Sequence, residues 1–338
     1  MFNPPISLTY EDLGLKPIYY SDIESRDLVD TSINFLGYQL QFPIISAPMA
    51  TISCSKLANT LTQLGGISCL ARTNNFQYDL DNYMKCNQAI PSVPAKDSKY
   101  YIDSYLNVNL ANHSHIICID VANGFNKLLE KPVRYIKDNY KFVEIITGNV
   151  ASLEGYKYLS DLGVHAVRVG ISGGSVCATA LQTRVGVGQA TLIRELAEYK
   201  YKSSSILPEI IADGGIKYSG DIAMALALGA DIIMSGSLFA GTEESAGDVI
   251  NDGGALKKHY AGQASKYIKG NAQYVEGADL LVSYKGPVVK VWNNLVNGLK
   301  SSMAYMNCKT IKDFKYLEDS CFVWLQNGAK IERGITAK

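Results

Sequence analysis

The sequence predicts an α/β fold in which one chain of 338 residues closes into a single (β/α)8 (TIM) barrel. Short apolar runs alternate along the chain with helical patterns, and most of these runs are continuously apolar. Continuous runs are typical of parallel strands that are covered on both faces. The main alternative, a doubly wound open sheet, is disfavoured because no GxGxxG fingerprint follows the first strand.

Eight apolar runs are predicted as the barrel strands. In chain order they cover Pro43–Ser46, Ile67–Leu70, Tyr105–Val108, Ile116–Asp120, Val143–Thr147, Ala166–Val169, Glu209–Asp213 and Asp231–Ser235. The third has the least regular pattern, because Asn107 and Asn109 interrupt it. Helical patterns lie between the strands and end at glycine, as in Ser55–Leu64, Ser152–Leu162 and Gly220–Leu228.

The barrel is predicted to have a short segment on either side. We expect an irregular N-terminal arm over residues 1–35, the barrel over 36–308 and a short flap at about 260–285. Residues 309–338 are predicted to form a tail with a polar helix, a short strand (Cys321–Leu325) and a loose end.

Composition excludes several classes of protein. The formal net charge is +0, with 32 basic and 32 acidic residues, so no global charge favours nucleic acid or an anionic membrane as a partner. The N-terminus lacks the pattern of a signal peptide, and no apolar run reaches the roughly 18 residues of a membrane helix. Seven scattered cysteines without a CxxC pair argue against a zinc site and against a disulfide framework. A reducing cytoplasm is the expected compartment.

Glycine-rich and polar motifs follow most of the predicted strands. These motifs are Ala47-Pro-Met, Asp120-Val-Ala-Asn-Gly, Gly148-Asn-Val, Gly170 to Cys177, Asp213-Gly-Gly and Gly236-Ser. In a barrel the carboxyl ends of all strands share one rim, where active sites are built. The sequence therefore predicts one functional site at this rim.

The stretch from Val169 to Gln189 combines a phosphate cradle with a thiol. Its glycine-rich turn carries Ser175, and consecutive N–H groups in such turns bind anions. Cys177 follows two residues later, which suggests covalent chemistry on a phosphorylated substrate. A buried cysteine in a barrel loop remains the alternative for this residue alone.

Four blocks in this order resemble the IMP dehydrogenase/GMP reductase family. They are Val169 to Gln189, Ile211-Ala-Asp-Gly-Gly-Ile-Lys-Tyr-Ser-Gly-Asp221, Met234-Ser-Gly-Ser-Leu-Phe-Ala-Gly-Thr-Glu-Glu-Ser245 and Tyr284-Lys-Gly-Pro287. The resemblance implies that Cys177 attacks C2 of a purine and forms a covalent thioimidate, with Thr179 handling a proton. It also implies a purine nucleoside monophosphate site at Ser175, Asp213, Gly214, Gly215, Gly236, Ser237, Tyr260, Ala264 and Gly277, in which Asp213 binds the ribose diol.

Three features resemble the reductases of this family rather than the dehydrogenases. Asp120-Val-Ala-Asn-Gly124 stands where dehydrogenases usually show Ser-Ser-Gln-Gly. Only 21 residues separate Gly262 from Tyr284, which is too few for the dehydrogenase flap. Tyr274-Val-Glu-Gly277 resembles the reductase segment and offers Glu276 as the acid–base partner of the leaving amine.

The reductase resemblance implies NADPH as the cofactor and a homotetramer in which cofactor contacts cross between subunits. Arg26 is apt for the extra phosphate of NADP, and Arg72 takes the place of a cofactor-binding lysine. The positions implied are Ser25, Arg26, Arg72, Asp120, Val121, Ala122, Asn123, Gly124, Ser301 and Ser302. The roughly 45 residues between the second and fourth predicted strands leave no room for the paired CBS domains of many relatives.

Some positions depart from the family pattern. Relatives bind a monovalent cation at the positions of Gly174 and Cys177, but Ser172 replaces a glycine whose carbonyl contributes, which argues against a potassium site. Tyr274-Val-Glu lacks the Arg and Ser that read guanine, and Ala50 stands where Asp is usual. A modified 2-aminopurine nucleotide is therefore an open alternative to GMP. Two further hypotheses stay open, a dehydrogenase without CBS domains and a catalytically quiet nucleotide-binding barrel.

Overall fold

The computed structural model describes residues 3–108, 115–171, 173–174, 179–262, 265, 278–315 and 317–332. Eight parallel strands form one barrel, numbered here β1 to β8. They are β1 Ile44–Ser46, β2 Ile67–Ser68, β3 Ser92–Val93, β4 Ile116–Asp120, β5 Glu144–Val150, β6 Ala166–Val169, β7 Glu209–Asp213 and β8 Ile232–Ser235. β1 pairs with β2 and β8, and the barrel closes between β2 and β3 through a parallel bridge of Cys69 with Ile90. The predicted (β/α)8 barrel is confirmed.

One helix follows each strand and takes the same number. They are α1 Ser55–Gln63, α2 Phe76–Met84, α3 Ser98–Asn107, α4 Glu130–Asn139, α5 Leu153–Leu162, α6 Gln189–Lys202, α7 Ser219–Ala227 and α8 Val288–Tyr305. Local sequence explains their ends, as in α5, where Ser152 accepts a hydrogen bond from the N–H of Gly155. Among the described residues, no helix is both long enough and apolar enough to cross a membrane.

The prediction of the third strand was wrong. Tyr105 belongs to α3, where it packs edge-on against Tyr83 and Phe76, and β3 is the two-residue strand Ser92–Val93. Ile102, Tyr105 and Leu106 recur at helical spacing and are all buried. The true strand escaped the search for apolar runs because Ser92 is polar, although it is buried and donates to the carbonyl of Leu70.

Two apolar layers explain the continuous runs of the strands. On β4, Ile116 and Cys118 point into the barrel, while Ile117 and Ile119 pack against the surrounding helices. Successive residues point to opposite faces of the sheet and are buried on both. Burial of each large apolar side chain contributes about 1.5–3 kcal/mol to the free energy of folding. The hairpin of strands Ile33–Phe35 and Tyr38–Leu40, immediately before β1, packs Phe35 and Leu40 into the barrel interior.

The arm, the segment after β8 and the tail add further elements. Strand Leu13–Leu15 of the arm pairs antiparallel with strand Phe322–Trp324 of the tail. A three-stranded antiparallel sheet follows β8 and comprises Ile250–Asp252, Ala255–Ala261 and Asp279–Ser283. Short helices are Thr179–Thr183, Ile311–Lys315 and Asn327–Glu332, with 3-10 turns at Tyr10–Asp12, Arg26–Leu28, Lys127–Leu129 and Asp319–Cys321.

Candidate active site

Arg168 on β6 lies between two carboxylates at the carboxyl rim of the barrel. Its Nε is 3.0 Å from Oδ2 of Asp213, the last residue of β7, and its Nη1 donates to Oδ1 of Asp120, the last residue of β4. Gly148 on β5 pairs with both Asp120 and Arg168, and a Cβ there would lie 2.7 Å from the Cβ of Arg168. The absent side chain thus lets the guanidinium cross β5 and join the two carboxylates.

The three residues Asp120, Arg168 and Asp213 form what we call the rim cluster. Attraction between their charges offsets the cost of burying the Arg168 guanidinium. The Arg168 side chain is 9% exposed. Burial would lower the pKa of its guanidinium, but the attraction of Asp213 and then Asp120 outweighs burial and raises that pKa well above its usual value. Arg168 therefore stays charged and holds both carboxylates in place. It was not predicted from the sequence, because only its apolar neighbours were considered.

Each carboxylate has one oxygen that accepts no hydrogen bond from the described residues. Oδ2 of Asp213 accepts from Arg168 and from the Asn149 amide at 2.8 Å, whereas its Oδ1 accepts no hydrogen bond from any described residue. Oδ2 of Asp120 has Arg72 at 3.9 Å, beyond hydrogen-bond distance. Because a carboxylate is an acceptor only, both atoms suit hydroxyl or amine donors of a bound molecule.

The loop Asp120–Gly124 is fixed to the end of β5. The N–H of Gly124 donates to the carbonyl of Asn149 at 2.7 Å, and the N–H of Asn149 donates to the carbonyl of Val121 at 3.0 Å. Ala122 and Asn123 are exposed at the tip of this loop. The Gly148–Asn149 peptide bond is cis. Asn149 thus forms hydrogen bonds both with the loop predicted to hold the cofactor and with the carboxylate of Asp213.

Gly214 and Gly215 pack against the loop that precedes Cys177. Gly214 has a φ of +98°, and a Cβ there would lie 3.0 Å from the carbonyl carbon of Gly173. The N–H of Gly215 donates to the carbonyl of Gly173 at 2.7 Å. This hydrogen bond joins two rim loops, and the place of Gly214 and Gly215 in the nucleotide site stays a prediction.

The other predicted phosphate ligands converge beside β8. Gly236 packs against Met49 and Tyr260, and Tyr260 is buried. The Ser237 hydroxyl donates to the carbonyl of Ile216 at 2.8 Å, which holds the loops after β7 and β8 together. Three segments that are distant in the sequence thus meet on one side of the rim.

The side chains of Gln189 and Tyr10 pack against Gly215, and no role was predicted for either side chain. The Gln189 amide donates to the carbonyls of Val169 and Asp213, at 2.9 and 3.0 Å. Burial, followed by the charges of Asp221 and Asp213, raises the pKa of Tyr10 well above its usual value, so its hydroxyl stays protonated. The position of Gln189 directly after Gly-Val-Gly was a signal that could have been used.

The predicted catalytic residues lie largely outside the described residues. These are Cys177 and Glu276, together with the substrate positions Ser175, Ala264 and Gly277. Thr179 begins helix Thr179–Thr183. Beside it, a cavity of about 480 Å³ opens between the arm and the rim, with Tyr10, Gly173, Ala180 and Gly215 in its wall. The cavity gives a small molecule access to Gly173 and Ala180.

Four predicted cofactor positions lie along α8 and not in the rim cluster. The turn Arg26–Leu28 contacts α8, and the Ser21 hydroxyl donates to the carbonyl of Ala304 at 2.7 Å. This contact brings Ser25 and Arg26 to the helix that carries Ser301 and Ser302. The Ser25 hydroxyl caps its own turn by accepting from the N–H of Asp27, and the Ser302 hydroxyl donates to the carbonyl of Gly298.

Comparison with known proteins places the chain in a family. A family model described as the IMP dehydrogenase / GMP reductase domain matches residues 7–334. The GMP reductase of Bacillus licheniformis is 35% identical over 300 residues, which cover 88% of this chain and 90% of that protein. The GMP reductase of Oceanobacillus iheyensis is 32% identical over 333 residues, 95% of this chain and 98% of that protein. The GMP reductase of Bacillus subtilis is 32% identical over 322 residues, 93% and 97% of the two chains. The chain is therefore an oxidoreductase that belongs to the IMP dehydrogenase/GMP reductase family.

Proposed function

We propose that this enzyme uses NADPH to convert GMP, or a related 2-aminopurine nucleotide, to IMP and ammonia. Family membership implies a purine nucleotide substrate and a nicotinamide cofactor, and three similar proteins are named GMP reductases. The observation that carries the proposal is the rim cluster, because Arg168 joins the carboxylate predicted for the substrate to the carboxylate predicted for the cofactor.

The substrate side is argued from the open oxygen of Asp213. Oδ1 of Asp213 can accept a hydrogen bond from a ribose hydroxyl, while Arg168 and Asn149 fix the carboxylate through Oδ2. Gly236, Ser237 and Tyr260 lie on the β8 side, where they suit a 5′-phosphate. A nucleotide held at both ends would present its base to the loop of Cys177.

The covalent step is the one that the resemblance to the family implies for Cys177. The Cys177 thiolate attacks C2 of the purine, a C–S bond forms, and the 2-amino group leaves as ammonia after it receives a proton. Glu276 is assigned to that proton transfer, with Thr179 as its partner. A hydride then adds to C2 and the C–S bond breaks, which returns the thiolate and yields IMP.

The residues at β4 fit a nicotinamide cofactor. Asp120 offers an acceptor, Arg72 offers a cation 3.9 Å away, and the exposed backbone of Ala122 and Asn123 provides further donors and acceptors. When bound, NADPH supplies the hydride to C2. Asp120 and Arg72 would orient it, while Asn149 keeps their loop at a fixed distance from Asp213.

The assembly and compartment are also part of the proposal. The segment with Ser25 and Arg26 lies along α8, as do Ser301 and Ser302, so one surface could offer all four positions to a neighbouring subunit of a homotetramer. The six described cysteines are free thiols, which supports a reducing cytoplasm.

Turnover and adduct formation test the proposal. NADPH absorbance should fall only when GMP or another 2-aminopurine nucleotide is present, and mass spectrometry should find a nucleotide adduct on Cys177. Cys177→Ala should abolish turnover but keep nucleotide binding, whereas the control Cys54→Ala, at a half-buried free thiol, should keep both. Reduction of NAD by IMP would show a dehydrogenase instead, and binding of every purine monophosphate without turnover would show a quiet barrel.

A further inference from the structure

A second cavity of about 820 Å³ lies between the loops that follow β3 and β4. One wall comes from residues 95–99, where the chain enters α3, and the other from residues 126–135, which include the start of α4. The wall contains neither Arg72 nor any residue of the Asp120–Gly124 loop. The cavity is therefore distinct from the rim cluster, and the proposed reaction makes no use of it.

Lysines from both walls make this cavity basic. Its lining includes Lys96, Lys99, Lys127 and Lys131, and none of the four forms an ion pair with any residue that the structure describes. Asp97 is the one acidic residue among the described residues of the lining. Four positive charges with one negative charge in a shared concavity favour an anion that carries several charges, because a monovalent ion would leave most of the repulsion in place.

The start of α3 adds uncharged donors to the same cavity. Asp97 precedes the helix in a left-handed conformation, and its side chain does not cap it. The N–H groups of Ser98 and Lys99 have no hydrogen-bond partner in the described ranges of the chain. N–H groups at a helix N-terminus bind anions, and a ten-residue helix adds a favourable dipole.

Ser98 is an independent indication of a ligand. Ser98 lines the cavity and is only 7% exposed, and its hydroxyl makes no hydrogen bond to any described residue. The polar atoms of such residues normally have a protein or water partner. An oxygen-rich ligand in the cavity would supply that partner, next to the N–H groups of the same turn.

The wall formed by residues 126–135 also has an apolar part. The hydroxyls of Tyr135 and Tyr140 both donate to Oδ1 of Asp103, at 2.6 and 2.8 Å, and this contact fixes the ring of Tyr135. Nζ of Lys99 lies 5.4 Å from the centre of that ring. Leu128, which is 56% exposed, also lines the cavity. These side chains offer an apolar surface for a ribose or a base, next to the lysines.

We propose that this cavity is a second anion site, which binds an oligophosphate chain, either free or as part of a nucleotide. The four lysines would neutralise the chain, and Ser98 with the start of α3 would bind one phosphate group through hydrogen bonds. The site is separate from the substrate and cofactor positions of the rim. The proposal therefore does not depend on the proposed reaction with GMP.

Calorimetry of the full chain with inorganic tripolyphosphate tests the site. We expect saturable binding that weakens with added salt, and a dissociation constant about tenfold larger in the double variant Lys96→Gln/Lys131→Gln, because two charge-assisted contacts are lost. Ser98→Ala should weaken binding several-fold, as expected for one hydrogen bond to a charged group. Lys141→Gln is the matched control, since Lys141 is an exposed lysine outside the cavity.

Further titrations identify the source of the oligophosphate and test the separateness of the site. ATP and GTP that bind more tightly than tripolyphosphate would identify a nucleotide, and equal affinities would identify the free anion. Saturating GMP or NADPH should leave the affinity for tripolyphosphate unchanged. Absence of saturable binding, wild-type affinity in the double lysine variant, or competitive displacement by NADPH would each overturn the proposal.

Discussion

Ion pairs lie at both ends of β7, in two clusters that are built differently. The rim cluster has one arginine between Asp120 and Asp213 at the carboxyl ends. At the amino ends, Lys200 is 2.6 Å from Glu209 and 2.8 Å from Asp231, and Lys315 pairs with Asp231 as well. We call these four residues the base cluster.

The difference lies in which oxygen atoms remain available. In the base cluster, Asp231 is bound by both lysines and also accepts from the N–H of Ile210 at 2.7 Å, so the carboxylate is saturated. In the rim cluster, Oδ1 of Asp213 accepts no hydrogen bond from the described residues. The base cluster therefore attaches helix Ile311–Lys315 to the barrel, whereas the rim cluster leaves one carboxylate oxygen of Asp213 without a hydrogen bond from the described residues.

Arg168→Met should give the largest effect, because it would leave Asp120 and Asp213 buried without their shared cation. We expect a loss of about 3–5 kcal/mol in the free energy of unfolding and loss of reductase activity. Denaturant unfolding and NADPH oxidation would measure the two effects. Arg194→Met removes an arginine from its solvent-facing ion pairs with Glu198 on α6 and Asp319 in the tail, and should cost under about 1 kcal/mol. A similar cost for both variants would contradict the role of Arg168.

Lys315→Met should separate stability from activity. Asp231 would keep Lys200 and the N–H of Ile210, so we expect a smaller cost of about 1–2 kcal/mol, with kcat/KM unchanged. Lys312→Met is the control, because Lys312 is exposed on the same short helix and should have little effect on unfolding. A fall in kcat/KM greater than the fall in folded protein would show that the base cluster also acts on the site.

The base cluster should also make stability depend on pH. Burial, and then the charge of Asp231, raises the pKa of Glu209 from 4.5 to about 7. A carboxyl with a raised pKa in the folded state stabilises the fold most when protonated, so its contribution is complete below pH 4.5 and is lost as the pH rises to about 7. The Glu209 side chain is 38% exposed, so solvent screening limits the effect to about 1 kcal/mol.

Glu209→Gln isolates this contribution. The difference in unfolding free energy between the variant and the wild type should change between pH 4.5 and 7 and become constant above that range. Glu198→Gln, at an exposed position on α6, should show no such trend. A difference that is constant from pH 4 to 8 would contradict the raised pKa.

The sequence predicted the fold better than it predicted the contacts of the site. Strands Ala166–Val169 and Glu209–Asp213 have the predicted bounds, because burial on both faces leaves a continuous apolar run. β3 was missed because two residues with one buried serine give no such run. Glycine motifs located the rim, since the carboxyl ends of all strands meet there.

The contacts across the barrel could not be predicted in the same way. Arg168 contacts Asp120 only because β5 has Gly148 between them, and this depends on the register of three strands rather than on local spacing. Gly215 is a second example, because its N–H donates to the carbonyl of Gly173 on another loop. Side-chain partners of this kind follow from tertiary packing.

Arg72→Gln should have the smallest effect on stability. It tests most directly whether Arg72 and the open oxygen of Asp120 bind the cofactor. Arg72 lies 3.9 Å from Asp120 and its side chain is 27% exposed, so its charge should contribute under about 1 kcal/mol to folding. If Arg72 and the open oxygen of Asp120 serve the cofactor, the KM for NADPH should rise several-fold, as expected for one partly exposed charge contact. The KM for GMP and the melting temperature should stay unchanged, and Arg134→Gln, at an exposed position on α4, should change none of these values. Equal increases in both KM values would show that the two carboxylates act as one unit, and an unchanged KM for NADPH would remove Arg72 from the cofactor site.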